Sequence, residues 1–535
     1  MRKTALISVY HKENIEKFAK ELVGLGWEIV SSGGTAKYLA EKGIESKDVL
    51  EIVGGKAILG HRVVTLSREI HAGLMARSNV PEDIKELEKL GIPFIDLVCV
   101  DLYPLEEAVK KTDASYESVI EATDIGGPTL IRSAAKGGRI VICDPTDREK
   151  VIERLKKNSD ISKEERIELA AKAEYVISKY CLESAKFHSG EKYYGTSGEQ
   201  VAETLYGENA YQVPGKLYSV KDEDSLALDK FKVLTKMAPS YNNLCDIDRM
   251  LQTLTHIVAA FEVNHIPAKF FGVAVKHGNC CGASYGDDKI EVIKKVVEGD
   301  LRAIFGGLAM FNFGFDEADA ETLLTYLMEK EGRRLLDGII APSFSEKALE
   351  VSRRKRDKCR FIVNPALESL NKNSLDIAKR FRYVRGGFLA QPNYSFILDF
   401  SHQDIKIQGN LGESAKSEIL LAWSICATSN SNTITLVNGQ KLIGNGVGQQ
   451  DRVGCSELAI KRARDAGHET QSAVAASDSF FPFSDGPEIL INGGIKTIFS
   501  TSGSVKDEEI RKICSEKGII LIQIPDKLAR GFFGH

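Results

Sequence analysis

Ala5-Leu6-Ile7-Ser8-Val9, then Lys12 to Leu25, then Trp27-Glu28-Ile29-Val30 running into Ser31-Ser32-Gly33-Gly34-Thr35: this opening stretch decides the fold class. Two short apolar runs flank an amphipathic segment, and a helix over Ala36 to Glu41, opened by Thr35, follows. Such a β-α-β-α start predicts an α/β domain with a parallel sheet covered by helices. The Ser-Ser-Gly-Gly-Thr turn lies where a strand feeds a helix. Small residues there let backbone N–H groups approach an anion, and hydroxyls add donors. The turn suits a phosphate, or it is a tight turn with a threonine cap.

Moving outward, Ile95 to Val100 is predicted as a buried strand that ends in Asp101-Leu102-Tyr103-Pro104, because Pro104 cannot continue a central strand. Asp124-Ile125-Gly126-Gly127-Pro128-Thr129 leads into a helix that carries Arg132 and Lys136 on one face. That face is either an anion patch or a solvated basic edge. A strand at Arg139 to Cys143, a helix after Asp147 and another over Glu164 to Tyr180 complete a first domain. It is expected to end near Gly195, with Ser189 to Gly198 as linker.

A chain of 535 residues has room for two to four domains. Its 43% hydrophobic and 27% charged residues are those of a globular protein, and a net charge of -4 gives no reason to expect nucleic acid. Ten cysteines without a Cys-x-x-Cys pair argue against a disulfide scaffold or structural zinc and for a reducing compartment. No apolar run is long enough to span a bilayer. The expectation is a soluble, cytoplasmic protein with neither membrane partner nor metal. Arg353-Arg354-Lys355-Arg356 is taken as a solvated helix end.

Beyond the linker the most informative run is Gly272-Val273-Ala274-Val275-Lys276-His277-Gly278-Asn279-Cys280-Cys281-Gly282-Ala283. A buried strand there delivers Lys276 and His277 to its end. Lysine supplies positive charge and histidine exchanges a proton near neutral pH, so the pair suits attack by a weakly nucleophilic nitrogen. A plain strand-end turn is the alternative. Ser240-Tyr241-Asn242-Asn243 is expected to be a loop before a helix over Asp246 to Ala260. Ser429-Asn430-Ser431-Asn432, Gly444 to Arg452 and Ser477-Asp478-Ser479-Phe480-Phe481-Pro482-Phe483 repeat the strand-end theme. The aromatics of the last run either stack on a flat heterocycle or pack a core. The terminal Arg530 to His535 is expected to dock.

Taken in order, these clusters resemble the bifunctional family that joins 5-aminoimidazole-4-carboxamide ribonucleotide transformylase to inosine monophosphate cyclohydrolase. Ser31 to Thr35, Asp101 to Pro104, Asp124 to Lys136, Ser240 to Asn243, Lys276 to Gly282, Phe305-Gly306-Gly307, Ala341-Pro342-Ser343-Phe344 and Ser477 to Phe483 carry the resemblance. It implies an N-terminal methylglyoxal-synthase-like parallel sheet domain over 1-195. It also implies a transformylase region made of two cytidine-deaminase-like subdomains, 196-365 and 366-535.

By the same resemblance, Lys276, His277, Asn432 and His535 serve formyl transfer from 10-formyltetrahydrofolate, with Asn430 as the alternative match for Asn432. Tyr103, Asp124 and Lys136 serve ring closure. Ser31, Ser32, Gly33, Gly34, Thr35, Arg62, Thr65, Asp101, Gly126 and Gly127 bind substrate in the first domain, and Tyr206, Asn243, Gly306, Arg452, Phe480 and Pro482 do so in the second. A homodimer is implied, with nucleotide and folate as small-molecule partners. Three departures stand out. The family's Arg-Val-Lys-Thr-Leu-His-Pro is Arg62-Val63-Val64-Thr65-Leu66-Ser67-Arg68 here, so its lysine is Val64. Asn-Pro-Cys-Gly is Asn279-Cys280-Cys281-Gly282, and the arginine expected before Tyr206 is Leu205.

Overall fold

The computed structural model describes residues 2–55, 58–59, 63–220, 223–329, 332–354 and 357–534. Arg62 and His535, both expected site residues, lie outside the described residues, as does part of the basic run at 353–356. The chain divides into two compact units, Met1–Ser197 and Gly198–His535.

In the first unit, β1 (Thr4–Ser8), β2 (Glu28–Ser31), β3 (Lys47–Asp48), β4 (Leu97–Val100) and β5 (Ile140–Ile142) form, among the described residues, a parallel sheet of order β3-β2-β1-β4-β5. The period of two assigns alternate side chains to opposite faces. Ala5 and Ile7 join a core with Phe18, Leu22 and Leu155, while Leu6 joins the opposite core with Ile70, Leu130 and Ile177. Helices on both faces force every strand to point the same way, so all five C-terminal ends lie along one edge.

The helix after β2 begins at Gly33, three residues earlier than the sequence suggests, with Ser32 in extended conformation at its N-cap. Thr35 is not the cap. Its hydroxyl is buried and bonded to the Val9 backbone instead. The long helix Lys163–His188 closes the unit, started by a reciprocal Ser162/Glu165 capping box.

The second unit opens with a hairpin of β6 (Glu199–Thr204) and β7 (Gly215–Ser219). Its main sheet contains β8 (Lys232–Val233), β9 (Phe270–Lys276), β10 (Asn279–Gly286), β11 (Leu308–Phe311), β12 (Gly338–Ala341) and β13 (Arg360–Val363). After a separate hairpin of β14 (Lys379–Val384) and β15 (Gly387–Pro392) come β16 (Lys406–Gln408), β17 (Ile434–Asn438), β18 (Lys441–Gly446), β19 (Val474–Ser477), β20 (Thr497–Ser502) and β21 (Ile520–Pro525). Among the described residues the order is β16-β21-β20-β19-β17-β18-β10-β9-β11-β12-β13-β8.

That order is the same half-sheet written twice and joined at β10 and β18. Each half runs long helix, hairpin, helix, strand, helix, strand, helix, strand. The first half starts with helix Tyr241–Val263 and the second with helix Glu413–Ala427. This duplication has no counterpart in any short sequence repeat, because burial pattern and topology repeat while residue identities do not. One local expectation changes: Ser240 to Asn243 is not a loop but the cap and first turn of the long helix, because Ser240 and Asn243 form a capping box.

Candidate active sites

In the first unit the strand ends gather Ser8-Val9-Tyr10-His11-Lys12 after β1, Ser31 to Thr35 after β2 and Asp101 to Tyr103 after β4. Ser8 and Ser32 hydroxyls are 2.7 Å apart, and Lys12 Nζ lies 3.2 Å from Thr35 Oγ1. Gly33 and Gly34 are exposed at the start of their helix, and an added Cβ would meet nothing within 4 Å at either. Together they make an anion cradle of helix amides, one hydroxyl and one ammonium. Ser31 and Thr35 do not face it, since both side chains are buried. Lys12, which the sequence reading assigned to a helix, belongs to this cradle. Its signal was there: a polar triplet directly after a buried strand.

Asp101 accepts hydrogen bonds from the Tyr10 and His11 amides and sits 3.4 Å from His11 Nδ1, so it secures the turn after β1. Tyr103, 46% exposed, packs against Tyr10 with ring centroids 5.3 Å apart. Asp124 accepts from the Gly127 amide at 2.9 Å, and burial pushes its carboxyl above the ordinary range against the pull of the surrounding backbone amides. A Cβ on Gly127 would lie 2.4 Å from Asp124 Oδ2, and one on Gly126 would lie 2.9 Å from Thr65 Oγ1, so both glycines are needed for this close approach. Lys136 is exposed at the far end of helix Gly126–Lys136, about 15 Å along the axis from Gly126 at 1.5 Å per residue. One chain therefore does not bring Lys136 to Tyr103 and Asp124. On the same helix, Arg132 is paired with Glu174 at 3.4 Å. Val64 is half-buried and packs against the apolar core beneath the site.

In the second unit one end of the sheet collects the chemistry. Register places the end of β9 beside the start of β11, and the start of β17 beside the ends of β18 and β19. Asn445 ties the two halves together, donating to Cys280 O at 3.1 Å and accepting from Thr435 Oγ1 at 2.8 Å. His277 and Gly278 form the two-residue loop between β9 and β10, both left-handed (φ 54° and 71°), as a type I′ hairpin requires. His277 is thus exposed at a turn tip rather than trailing from a strand. Lys276 Nζ donates to Phe305 O at 2.5 Å, and Gly306 (φ 71°) leaves room above it.

Across the join, Asn432 Oδ1 accepts from Arg452 Nη1 at 3.0 Å while its Nδ2 donates to Gln449 O at 3.0 Å. Arg452 Nη2 pairs with Asp478 at 2.8 Å, and Ser431 Oγ donates to the other Asp478 oxygen at 2.7 Å. Asp478 is fully buried; burial raises its carboxyl while Arg452 opposes the rise. Arg452 is therefore engaged in fixing Asn432. Asn243 likewise spends its carbonyl oxygen on the Ser240 amide at 3.0 Å. Of the aromatic run, Phe481 fills the core, Phe480 is half-buried, and Pro482 and Phe483 are exposed.

The tail docks against the same end. Gly531 N donates to Asp478 O, Phe533 N donates to Ser429 O at 2.8 Å, and the guanidinium groups of Arg249 and Arg380 lie 4.5 Å and 3.3 Å from the Phe533 ring centroid. Tyr206 sits in the β6–β7 loop, whose Glu208 carbonyl accepts from Asn242 at the start of the first long helix. Ala341 to Phe344 lies at the opposite end of the sheet in a phenylalanine cluster with Phe315 and Phe361.

Two sites on separate α/β units, one suited to an anion in a unit that also holds the half-buried carboxyl of Asp124 and one presenting Lys-His, define a two-site nucleotide enzyme. A family profile described as MGS-like domain matches residues 14–129, and one described as AICARFT/IMPCHase bienzyme matches residues 134–462. The chain is 35% identical over 531 residues to "Bifunctional purine biosynthesis protein PurH" of Bacillus cereus (strain AH820), covering 98% of each chain. It is 34% identical over 535 residues to the protein of that name from Caldicellulosiruptor saccharolyticus, again covering 98% of each. A solved structure titled "Crystal structure of ForH" is 32% identical, covering 35% of this chain and 100% of that chain, with a TM-score of 0.32. The chain belongs to the AICARFT/IMPCHase bienzyme family, the formyltransferase and cyclohydrolase of purine biosynthesis.

Proposed function

We propose that the second unit carries out formyl transfer at the sheet end bearing Lys276 and His277. The first unit then closes the ring at the strand ends bearing Ser32 and Tyr103 and at Asp124, just before helix Gly126–Lys136. The observation that carries this reading is the left-handed turn that holds His277 out beside the anchored Lys276.

The amine of 5-aminoimidazole-4-carboxamide ribonucleotide attacks the formyl carbon of 10-formyltetrahydrofolate. A C–N bond forms, and the amine proton passes to His277. Lys276 stabilises the tetrahedral oxyanion. Collapse breaks the bond to the folate nitrogen, and His277 returns its proton to that nitrogen. Asn432, held by Arg452 and Gln449, keeps one Nδ2 hydrogen to orient the transferring group. His535, outside the described residues, keeps a ligand-side role on the family resemblance alone.

In the first unit the phosphate rests at Ser32, Gly33, Gly34 and Lys12. The carboxamide nitrogen attacks the formyl carbon and loses one proton, the formamide nitrogen loses its proton as a C=N bond forms, and the former formyl oxygen leaves with both as water. Asp124, with its proton affinity raised by burial, suits protonation of that oxygen. Val64 offers neither charge nor hydrogen bond, which favours a second reading in which this unit only binds nucleotide.

The halves of the second unit are read as the two cytidine-deaminase-like subdomains, and the working form as a cytoplasmic homodimer with Lys136 supplied to a ring-closure site by the second subunit. Tyr383 and Leu389, 83% and 61% exposed on β14 and β15, support such an interface. The test is to incubate the full chain with both substrates and follow formylated intermediate and inosine monophosphate separately. Both products are expected, whereas intermediate alone would overturn ring closure.

A further inference from the structure

The duplication within the second unit sets two hairpin turns in equivalent positions, and the same device secures both. In the first half, Asp246 stands five residues after the start of helix Tyr241–Val263, and its Oδ1 accepts from the Gly278 amide at 2.6 Å, with the His277 amide as a second donor to the carboxyl. In the second half, Glu418 stands five residues after the start of helix Glu413–Ala427. Its Oε1 accepts from the Gln440 amide at 3.3 Å, with the Gly439 amide as second donor. Both carboxyls are buried. Gly439 and Gln440, like His277 and Gly278, have positive φ (60° and 66°). A side chain other than glycine in the left-handed region costs energy, and amide bonds to a carboxylate offset that cost.

The two turns differ in what they display. Gln440 Oε1 is bonded to Lys295 Nζ at 2.6 Å and Lys441 is paired with Glu298, so the second turn is locked into the protein. The first turn carries an exposed histidine. We infer that Asp246 is a positioning residue for formyl transfer, fixing the His277 side chain through the backbone of its turn, and that Glu418 is its structural twin without a catalytic role. This rests on His277 as the proton-transfer group.

The experiment compares Asp246→Ala, Asp246→Asn and Glu418→Ala in the full chain, with steady-state formyl transfer, calorimetric binding of the substrate nucleotide and thermal melting. Displacing a catalytic group by about 1 Å costs on the order of 100-fold, so kcat of Asp246→Ala is expected to fall by about that factor while nucleotide affinity holds. Asp246→Asn, with one acceptor oxygen instead of two, falls in between, and it decides the matter should the alanine variant not fold. Glu418→Ala is expected to melt early yet keep wild-type kcat in its folded fraction. Wild-type kcat in folded Asp246→Asn, an equal kcat loss in Glu418→Ala, or a loss of nucleotide affinity in Asp246→Ala that matches its loss of kcat would overturn the inference. Unchanged turnover in His277→Ala itself would sink the underlying assignment of His277 instead.

Discussion

His277 and Asp478 make opposite demands on their surroundings. His277 is exposed on a left-handed turn and is the proton-transfer group of the proposed mechanism, so His277→Ala should abolish formyl transfer and leave the calorimetric nucleotide affinity intact. Asp478 is fully buried, which raises its carboxyl, and Arg452 at 2.8 Å opposes that rise. Removing one partner of a buried ion pair strands the other, at roughly 3–5 kcal/mol. Arg452→Met should therefore lower the melting temperature sharply, and a melting curve that matches wild type would refute the role given to the pair. Residue types at strand ends were legible in sequence, which is why Lys276, His277 and Tyr103 stood out, and Asp124 did so as part of a polar cluster leading into a helix. Which polar side chains face ligand was not. Thr35, Asn243 and Arg452 carry the right chemistry but are engaged by the protein, whereas Lys12, Asp246 and Asp478 depend on partners far away in sequence.

At the scale of the element, close helix-on-strand packing is enforced by glycine. A Cβ on Gly282 would come within 2.1 Å of Val296 O in the helix crossing β10. Gly282→Ala should destabilise the second unit by about 1–3 kcal/mol or more, read as a lower melting temperature. In the first unit, helix Lys163–His188 is tied to the loop after β5 through Lys172, 2.7 Å from both Asp144 and Asp147. Burial pushes the Asp144 carboxyl up, but the Lys172 ammonium and the Thr146 hydroxyl and amide outweigh it and hold it at about 2. A carboxyl lowered on folding stabilises above its unfolded value of 3.8 and loses that contribution as pH falls from about 4 toward 2. Acid unfolding of wild type should show this loss, and Asp144→Asn should flatten the stability profile in that window. An unchanged slope would contradict it. Strand and helix periods made most of these elements readable. The exceptions were their starts, such as Gly33 and Tyr241, because caps are set by single hydrogen bonds rather than by period.

For the whole molecule, the β-α-β-α opening was enough to indicate a parallel sheet, because alternate residues of β1 supply two cores. The second unit resisted the same treatment. Its two halves share connections and sheet order but few residues, so their joining at β10 and β18 became visible only in three dimensions. On the proposed function, formyl transfer and ring closure fall to sites on different units. The separation is tested most directly by giving His277→Ala the formylated nucleotide and, in a parallel reaction, the unformylated nucleotide with 10-formyltetrahydrofolate. The variant is predicted to release inosine monophosphate from the first at the wild-type rate and to form no product from the second. Formylation that survives, or ring closure lost along with it, would contradict two independent sites.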